Sequence, residues 1–176
     1  MRHFKVFLAA LFLALGLSAP ASAQLAEGER APNFVTRAAL AGVEQGFSLR
    51  AALRRGPVVL YFYPKAFTQG CTLEANAFAE AMPEFKALGA SVIGMSNDDI
   101  ATLKRFSREE CRDAFPVGVA SPRVIEAYKV GREGSEYTTR TSYVIAPDGR
   151  IRMVYSNGDY REHVSRTLAA VRALSD

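Results

Sequence analysis

The hydrophobic positions of this chain follow two patterns in turn, one typical of strands and one typical of helices. Residues 57–63 and 90–96 are apolar on both alternating faces, which predicts strands buried inside a parallel sheet. Each run is followed by apolar residues at helical spacing. The first of these helices has one apolar face, formed by Cys71, Phe78, Met82 and Phe85. Two strand–helix units of this kind predict an α/β fold.

Further elements are predicted on both sides of these units. Strands are expected at residues 31–35, 41–47, 115–120, 137–146 and 151–156, and helices at 48–56, 98–112, 121–128 and beyond 162. The turn sequence Pro147-Asp148-Gly149 predicts that the last two strands pair antiparallel. Because no linker or repeat interrupts the pattern, we expect one thioredoxin-like domain over residues 24–176, with a central mixed sheet flanked by helices.

Capping and helix-breaking residues refine three of the predicted helices. Ser48 is expected to cap the start of the short helix that follows it, and Gly56 to end that helix. Pro83 is expected to kink or interrupt the helix after Cys71, because its ring conflicts with a carbonyl of the preceding turn. Asp159 and Glu162 have the spacing of a capping box before the last helix.

The first 23 residues have the composition of a secretory signal peptide. Arg2 and Lys5 precede an apolar stretch at 6–17, and Ala21-Ser22-Ala23 has the small-residue form of a cleavage site. The apolar stretch is short for a membrane span, although an uncleaved anchor is the alternative. We expect cleavage after Ala23 and a periplasmic or secreted protein that has no membrane contact after cleavage.

Charge and the rarity of cysteine and histidine argue against several classes of function. The formal net charge is +4 and falls by two once residues 1–23 are removed, and the basic residues are scattered, so nucleic acid is not an expected partner. Beyond residue 23 the chain has only Cys71, Cys111 and one histidine, His163. A zinc site built from clustered cysteine and histidine is therefore not expected. A Cys–His hydrolase would have to use His163, which is remote in sequence. We expect neither a metal nor a cofactor.

Cys71 follows a buried strand and a short loop and lies where a helical pattern begins. The unpaired N–H groups and the positive end of the helix dipole favour a negative charge at this place, by up to about 2 kcal/mol in a partly buried setting. The thiolate is the nucleophilic form of cysteine. If Cys71 is activated, an arginine or lysine must assist the helix terminus, and the alternative is an inert core cysteine.

The residues around Cys71 match a known signature. Residues 64–71, PKAFTQGC, have the form P-x-x-x-T-x-x-C, and the wider run YFYPKAFTQGCTLEA resembles the Q-type peroxiredoxins, also called bacterioferritin-comigratory proteins. The resemblance extends from residues 31–34 to 140–145 and 147–149. It implies a thiol peroxidase that reduces hydrogen peroxide and organic hydroperoxides through a cysteine sulfenic acid, with a thioredoxin-like protein as reductant.

The resemblance also implies roles for individual residues. Cys71 is the peroxidatic cysteine, and Arg140 stabilises its thiolate, a role that suits an arginine because its charge is permanent. Thr68 brings a hydroxyl to the sulfur and the peroxide, and Pro64 packs against the site and limits water. The backbone N–H groups of Gly70 and Cys71 can hold the oxygen that becomes charged. The alternatives are a surface arginine at a strand end and a threonine that only caps the helix.

Cys111 is the candidate resolving cysteine, which would convert the sulfenic acid into a disulfide. Many Q-type relatives carry this cysteine five residues after the reactive one, where this chain has Asn76. Others carry it in the helix predicted here at 98–112, near Ser107 and one turn before Cys111. Two cysteines on different helices rarely meet the geometry of a disulfide. A resolving role therefore requires local unwinding after oxidation, and a core thiol with no redox partner is the alternative.

Two other functions are less well supported by these residues. A thiol–disulfide oxidoreductase of the same fold needs a C-x-x-C pair, but Glu74 and Thr68 stand three residues after and before Cys71. A non-enzymatic domain could be held together by a disulfide between Cys71 and Cys111. The expected oligomeric state is a monomer or a weak dimer.

Overall fold

The computed structural model describes residues 24–175, so the predicted signal peptide lies outside the described residues. The strands are β1 (Val35–Leu40), β2 (Val43–Ser48), β3 (Val58–Phe62), β4 (Ser91–Ser96), β5 (Val117–Val119), β6 (Thr141–Ile145) and β7 (Ile151–Ser156). The helices are α1 (Leu49–Leu53), α2 (Gln69–Ala87), α3 (Ile100–Glu109), α4 (Pro122–Ala127) and α5 (His163–Arg172). No helix within this part of the chain is both long and apolar enough to cross a membrane.

All seven strands form one mixed sheet in the order β2-β1-β5-β4-β3-β6-β7. Strand β4 pairs parallel with β3 on one side and with β5 on the other. The β6–β7 pair is antiparallel, and β6 also runs antiparallel to β3. The predicted α/β architecture is therefore confirmed: a parallel centre with antiparallel strands at both edges, flanked by helices.

Strand β3 explains why the central runs are hydrophobic on both faces. All five of its residues are fully buried. Val59 and Tyr61 pack into an apolar cluster that also contains Cys71 on α2, whereas Val58, Leu60 and Phe62 pack into a second cluster. The side chains of a strand alternate between the two faces of a sheet, so a sheet covered on both sides requires apolar residues at every position.

Helix α2 continues through Pro83, so the predicted interruption is wrong. Pro83 is exposed, and a helix carbonyl on the solvent side can tilt outward to water, which accommodates the ring. Met82 and Phe85, on either side of the proline, are buried in the core. Packing of the apolar face on both sides of the proline therefore holds the two halves as one helix.

Two helix ends also differ from the prediction. Helix α5 begins at His163, with Glu162 as the N-cap residue and no side-chain cap, so the predicted capping box does not form; Asp159 instead accepts a hydrogen bond from the Arg161 N–H. Helix α3 ends at Glu109, which places Cys111 beyond the helix rather than on it. The predicted cap of α1 is confirmed, because the Ser48 side chain accepts a hydrogen bond from the backbone of that helix.

Strand ends are less well predicted than strand centres. Strand β1 begins at Val35, where the first strand was expected to end, and β6 begins at Thr141, four residues later than expected. Because β6 starts there, Arg140 is the last residue before the strand and is free to direct its side chain toward α2.

Candidate active site

The N-terminus of α2 presents Cys71 in its first turn. Helix α2 begins at Gln69, so Cys71 is its third residue, and the first N–H groups of a helix lack partners within the helix. The side chain of Cys71 is only 1% exposed, which leaves access for small molecules alone. At Gly70 an added Cβ would lie 3.2 Å from Arg140 Nη2, so the glycine makes room for the guanidinium beside the sulfur.

Arg140 is held by three groups, one on each of its nitrogens. Its Nη2 donates to Cys71 Sγ at 3.5 Å, its Nη1 donates to Glu74 Oε2, and its Nε donates to the Gly158 carbonyl at 3.0 Å. The side chain is 7% exposed, so its charge is poorly screened by solvent. The structure thus brings a fixed, largely buried cation against the cysteine that the sequence singled out.

Glu74 is a member of the site that sequence reasoning did not assign. It lies one turn after Cys71 on α2 and is fully buried. Burial raises the pKa of Glu74 to about 8, against the opposing effect of the Arg140 guanidinium. Its second oxygen, Oε1, has no hydrogen-bond partner within residues 24–175. A carboxyl that holds a proton at neutral pH leaves more of the arginine charge available to the sulfur.

The loop before α2 contains Thr68 at the N-cap position, but its side chain does not cap the helix. Its hydroxyl donates to the Lys65 carbonyl at 2.9 Å and has no hydrogen bond to Cys71. Phe67, just before it, has a positive φ of 64°, which is uncommon for a bulky residue. Asp98, from the end of β4, accepts a hydrogen bond from the Ala66 N–H at 2.8 Å and so anchors the loop.

Pro64 and Arg140 line a cleft of about 480 Å³, and Arg140 also contacts Cys71 Sγ. The rest of the lining is polar or basic and contains no acidic residue: Arg132, Thr138, Thr139, Ser156, Asn157 and Gly158. Thr138 also donates its hydroxyl to the Tyr63 carbonyl at 2.8 Å, which ties the segment before Arg140 to the end of β3. The cleft therefore includes Arg140 and the residues just before it, which also supply the guanidinium at the Cys71 sulfur.

Cys111 lies in a turn after α3, residues 110–114, which we name the Cys111 turn. Its thiol is fully buried, and burial raises its pKa well above the ordinary value, with smaller contributions from Glu110 and Asp113. Arg112 and Asp113 both have positive φ values, 50° and 58°. Non-glycine residues in this conformation cost on the order of 1–2 kcal/mol each. The turn therefore combines an unreactive thiol with backbone strain.

Few polar contacts tie the Cys111 turn to the helix that carries Cys71. Asn76 donates its side-chain amide to the Thr72 carbonyl at 2.7 Å and to Glu110 Oε2 at 3.2 Å. Arg112 forms an exposed ion pair with Glu80 at 3.1 Å. Both cysteines are free thiols that belong to the same apolar cluster.

Metal-ligating residues do not cluster in the part of the chain that the structure describes. No group of three or more histidine, cysteine, aspartate and glutamate side chains is arranged there to hold a metal ion.

Comparison with known proteins agrees with this geometry. The model of the AhpC/TSA family matches residues 28–154. The chain is 32% identical over 160 residues to the chloroplastic peroxiredoxin Q of Oryza sativa subsp. japonica, covering 86% of this chain and 69% of that protein. It is 30% identical over 123 residues to peroxiredoxin Bcp of Xanthomonas campestris pv. campestris, covering 66% and 76%.

Solved structures show the same fold. The peroxidoxin BcpB of Mycobacterium tuberculosis superposes with a TM-score of 0.75 at 31% identity, covering 84% of this chain and 97% of that chain. Peroxiredoxin Q of Xanthomonas campestris superposes with a TM-score of 0.70 at 27% identity, covering 80% and 91%. With a buried thiol at a helix N-terminus, an arginine on its sulfur and a family match over most of its length, this chain belongs to the AhpC/TSA family and is a peroxiredoxin of the Q type.

Proposed function

We propose that this thiol peroxidase uses Cys71 as its peroxidatic cysteine and Cys111 as its resolving cysteine. The Cys71 thiolate attacks one oxygen of the peroxide, the O–O bond breaks, and the products are a sulfenic acid and an alkoxide or hydroxide that takes up a proton. The Cys111 thiol then displaces water from the sulfenic acid and forms a disulfide. A thioredoxin-like dithiol reduces the disulfide and becomes oxidised itself.

The observation that carries the first step is the contact between Arg140 Nη2 and Cys71 Sγ at 3.5 Å. A guanidinium there stabilises the thiolate before reaction. The N–H groups of Gly70 and Cys71 are free to donate to the oxygen on which negative charge grows. Thr68 is assigned to peroxide binding and Pro64 to limiting water, since the first lies at the helix start and the second lines the cleft.

The second step requires the Cys111 turn to open, because both cysteines are buried. The positive φ values of Arg112 and Asp113 support this proposal, since strain in the closed turn lowers the free energy needed to open it. The burial that raises the pKa of Cys111 is relieved in the same movement, because opening exposes the thiol to water. Opening of the turn thus frees the Cys111 thiol to reach Cys71 and, at the same time, removes the burial that raises its pKa.

The substrates we assign are hydrogen peroxide and organic hydroperoxides. The cleft lined by Pro64 and by Arg140, which contacts Cys71 Sγ, is large enough for a small organic group. A solved structure of the Xanthomonas campestris bacterioferritin comigratory protein, 26% identical with a TM-score of 0.70, is described in connection with the alkyl peroxide reduction activity of that protein; it covers 80% of this chain and 92% of that one. That description supports the same substrate class here.

We further assign the protein to the periplasm or the extracellular space, after removal of residues 1–23. The composition of that segment is the support for this assignment. A monomer or weak dimer is supported by the scarcity of large exposed apolar side chains. In residues 24–175 these are Val35, Val43 and Leu73, which lie at opposite ends of the β1–β2 hairpin and on α2.

Stopped-flow loss of peroxide with stoichiometric reduced protein tests the proposed chemistry. Wild type and Cys111→Ser are expected to consume one equivalent of peroxide at similar rates, and Cys71→Ser none. Only wild type is expected to continue turning over when a thioredoxin-like reductant is supplied. Peroxide consumption by Cys71→Ser at the wild-type rate would remove Cys71 from the reaction, and sustained turnover by Cys111→Ser would remove Cys111.

A further inference from the structure

His163 is the one histidine of residues 24–175, and its side chain is fully buried beside the active site. It is the first residue of α5, and the Tyr155 ring on β7 packs against it edge-on with the centroids 4.7 Å apart. Both ring nitrogens are engaged: Nε2 lies 3.0 Å from the Asn157 carbonyl, and Nδ1 lies 2.8 Å from Ser142 Oγ. A buried ring must have partners for both nitrogens, so the role of this ring depends on what these two partners connect it to.

The partners fix which nitrogen carries the proton. A carbonyl oxygen only accepts hydrogen bonds, so Nε2 must donate to Asn157. In the neutral ring Nδ1 is then an acceptor, and Ser142 donates its hydroxyl to it. Burial lowers the pKa of His163 to about 4, which keeps the ring neutral at physiological pH.

The Asn157 carbonyl connects this ring to the catalytic arginine. The segment 157–158 receives two contacts from Arg140 itself: the Asn157 N–H donates to the Arg140 carbonyl at 3.2 Å, and the Gly158 carbonyl accepts from Arg140 Nε at 3.0 Å. His163 holds the intervening Asn157 carbonyl from the other side. The position of the Gly158 carbonyl, and with it the plane of the guanidinium, thus depends on the histidine.

The Nδ1 edge of the ring also lies near Glu74, the second partner of Arg140. His163 Nδ1 is 3.8 Å from Glu74 Oε1, the oxygen that has no hydrogen-bond partner among the described residues. The charged groups that act on the ring are Glu74 and Arg140 from the site and Asp159 and Arg166 from its own side. A cationic ring would favour the ionised form of Glu74 and compete with the guanidinium for it, whereas the neutral ring leaves Glu74 hydrogen-bonded to Arg140.

We propose that His163 is a positioning residue for peroxide reduction, which holds the segment 157–158 so that Arg140 directs its Nη2 at Cys71. This inference rests on the proposed function, since it assigns the support of the arginine that activates the thiol. The ring touches neither the sulfur nor the peroxide. Its effect on the reaction comes from the orientation of the Arg140 guanidinium.

Three variants test this role against a purely structural one. His163→Gln retains an amide donor for the Asn157 carbonyl, His163→Leu retains bulk without a donor, and Thr167→Val removes a buried hydroxyl elsewhere on α5. The Thr167 hydroxyl donates to the His163 backbone carbonyl at 2.7 Å, so its loss disturbs the helix and leaves the ring untouched. This variant therefore controls for loss of stability.

Two quantities are measured in each variant. The first is the rate constant for reaction with peroxide. The second is the pH midpoint of the ultraviolet absorbance of the Cys71 thiolate, with Cys71→Ser as the blank for the absorbance. His163→Leu is expected to react about tenfold or more slowly and to shift the midpoint upward, as misplacement of a catalytic group can cost even more. His163→Gln and Thr167→Val are expected to stay within about threefold of wild type. Wild-type rate and midpoint in His163→Leu, or equal losses in the Leu and Gln variants, would overturn the proposal.

The absorbance titration needs no peroxide, so it decides the positioning role even if wild type consumes none and the proposed function fails. Should His163→Leu not fold, nitrogen-15 NMR of the wild-type His163 ring decides instead. The proposal requires a neutral ring at pH 7 with the proton on Nε2. A cationic ring, or a proton on Nδ1, would contradict it.

Discussion

Cys71 and Cys111 are buried in the same apolar cluster, yet their surroundings respond to a negative charge on sulfur in opposite ways. Cys71 lies in the first turn of a long helix with the Arg140 guanidinium on its sulfur. Cys111 lies past the end of a helix, where burial and two acidic neighbours raise the pKa of its thiol. Burial alone therefore does not decide the chemistry of a cysteine; the charges buried with it do.

The two cysteines also differ in their backbone surroundings: the Cys71 site is rigid, and the Cys111 turn is strained. The Cys71 site is tied to the segments next to β3, β4 and β6: Thr138 donates to the Tyr63 carbonyl, Asp98 accepts from the Ala66 N–H, and Arg140 donates to Cys71. The Cys111 turn has consecutive positive φ values and is tied to α2 mainly by Asn76 and by an exposed ion pair of Arg112. We infer that the first cysteine reacts in place and that the second is brought to it by local unfolding.

The largest expected loss short of removing Cys71 follows from Arg140→Ala. Without the guanidinium the Cys71 thiolate loses the cation that contacts its sulfur, and the rate constant for peroxide should fall by about 100-fold or more, as it does when a preorganised donor is removed. Stopped-flow kinetics measures this. Arg152→Ala, which removes an exposed arginine paired with Asp148, is the matched control and should react like wild type. An unchanged rate in Arg140→Ala would remove the arginine from the site.

The next largest expected effect is the pH dependence of stability that Glu74 causes. Because the pKa of Glu74 is about 8 in the folded state and its ordinary value is 4.5, the folded state keeps a proton that the unfolded state loses between these values. The contribution of Glu74 to stability therefore falls as pH rises through this window, by at most about 1.4 kcal/mol per pH unit. The free energy of unfolding, measured with urea, should decline less from pH 5 to pH 8 in Glu74→Gln than in wild type.

Glu84→Gln provides the control for this measurement. Glu84 is an exposed carboxyl on the same helix, where it pairs with Arg172 on α5. Its replacement should leave the pH dependence of unfolding close to that of wild type. If Glu74→Gln and Glu84→Gln gave the same difference between pH 5 and pH 8, the buried carboxyl would not be the protonated group.

The smallest expected effect is on the opening of the Cys111 turn. Asn76→Ala removes a part-buried contact to Glu110, worth about 0.5–1.5 kcal/mol. Opening should become about two- to tenfold more frequent, and the disulfide should form faster by the same factor after one equivalent of peroxide. Arg112→Ala, which removes only the exposed ion pair with Glu80, should change the rate less. Slower disulfide formation in Asn76→Ala than in wild type would contradict the proposal that the Cys111 turn opens before the disulfide forms.

The parts of this site that are local in sequence could be predicted, because they depend on short-range rules. A helix start after a buried strand identifies Cys71, and the signature at residues 64–71 adds Thr68 and Pro64, whereas Arg140 followed only from the family resemblance. Glu74 and Asp98 could not be assigned, because nothing in a short segment tells a buried carboxyl from one that faces water. The spacing of Glu74, one turn after Cys71 on the same helix, was a signal that could have found it.

His163 and Pro83 show how tertiary packing overrides local rules. The sequence placed His163 remote from the reactive cysteine, and only the return of α5 against β6 and β7 brings it to Glu74. Pro83 was expected to kink or interrupt α2, but the helix continues through it, and Pro83 faces solvent while residues on both sides of it pack in the core. The end of α3 before Cys111 was missed for a similar reason, since its helical pattern continues past the observed last turn.

The difference between the two cysteines is tested most directly by following both sulfurs after one equivalent of peroxide. Reduced protein is mixed with peroxide, quenched with acid at increasing times and mapped by non-reducing mass spectrometry. We predict a sulfenic acid on Cys71 first, followed by a disulfide between Cys71 and Cys111. A first oxidation at Cys111, or a lasting sulfenic acid with both sulfurs unlinked, would contradict the account.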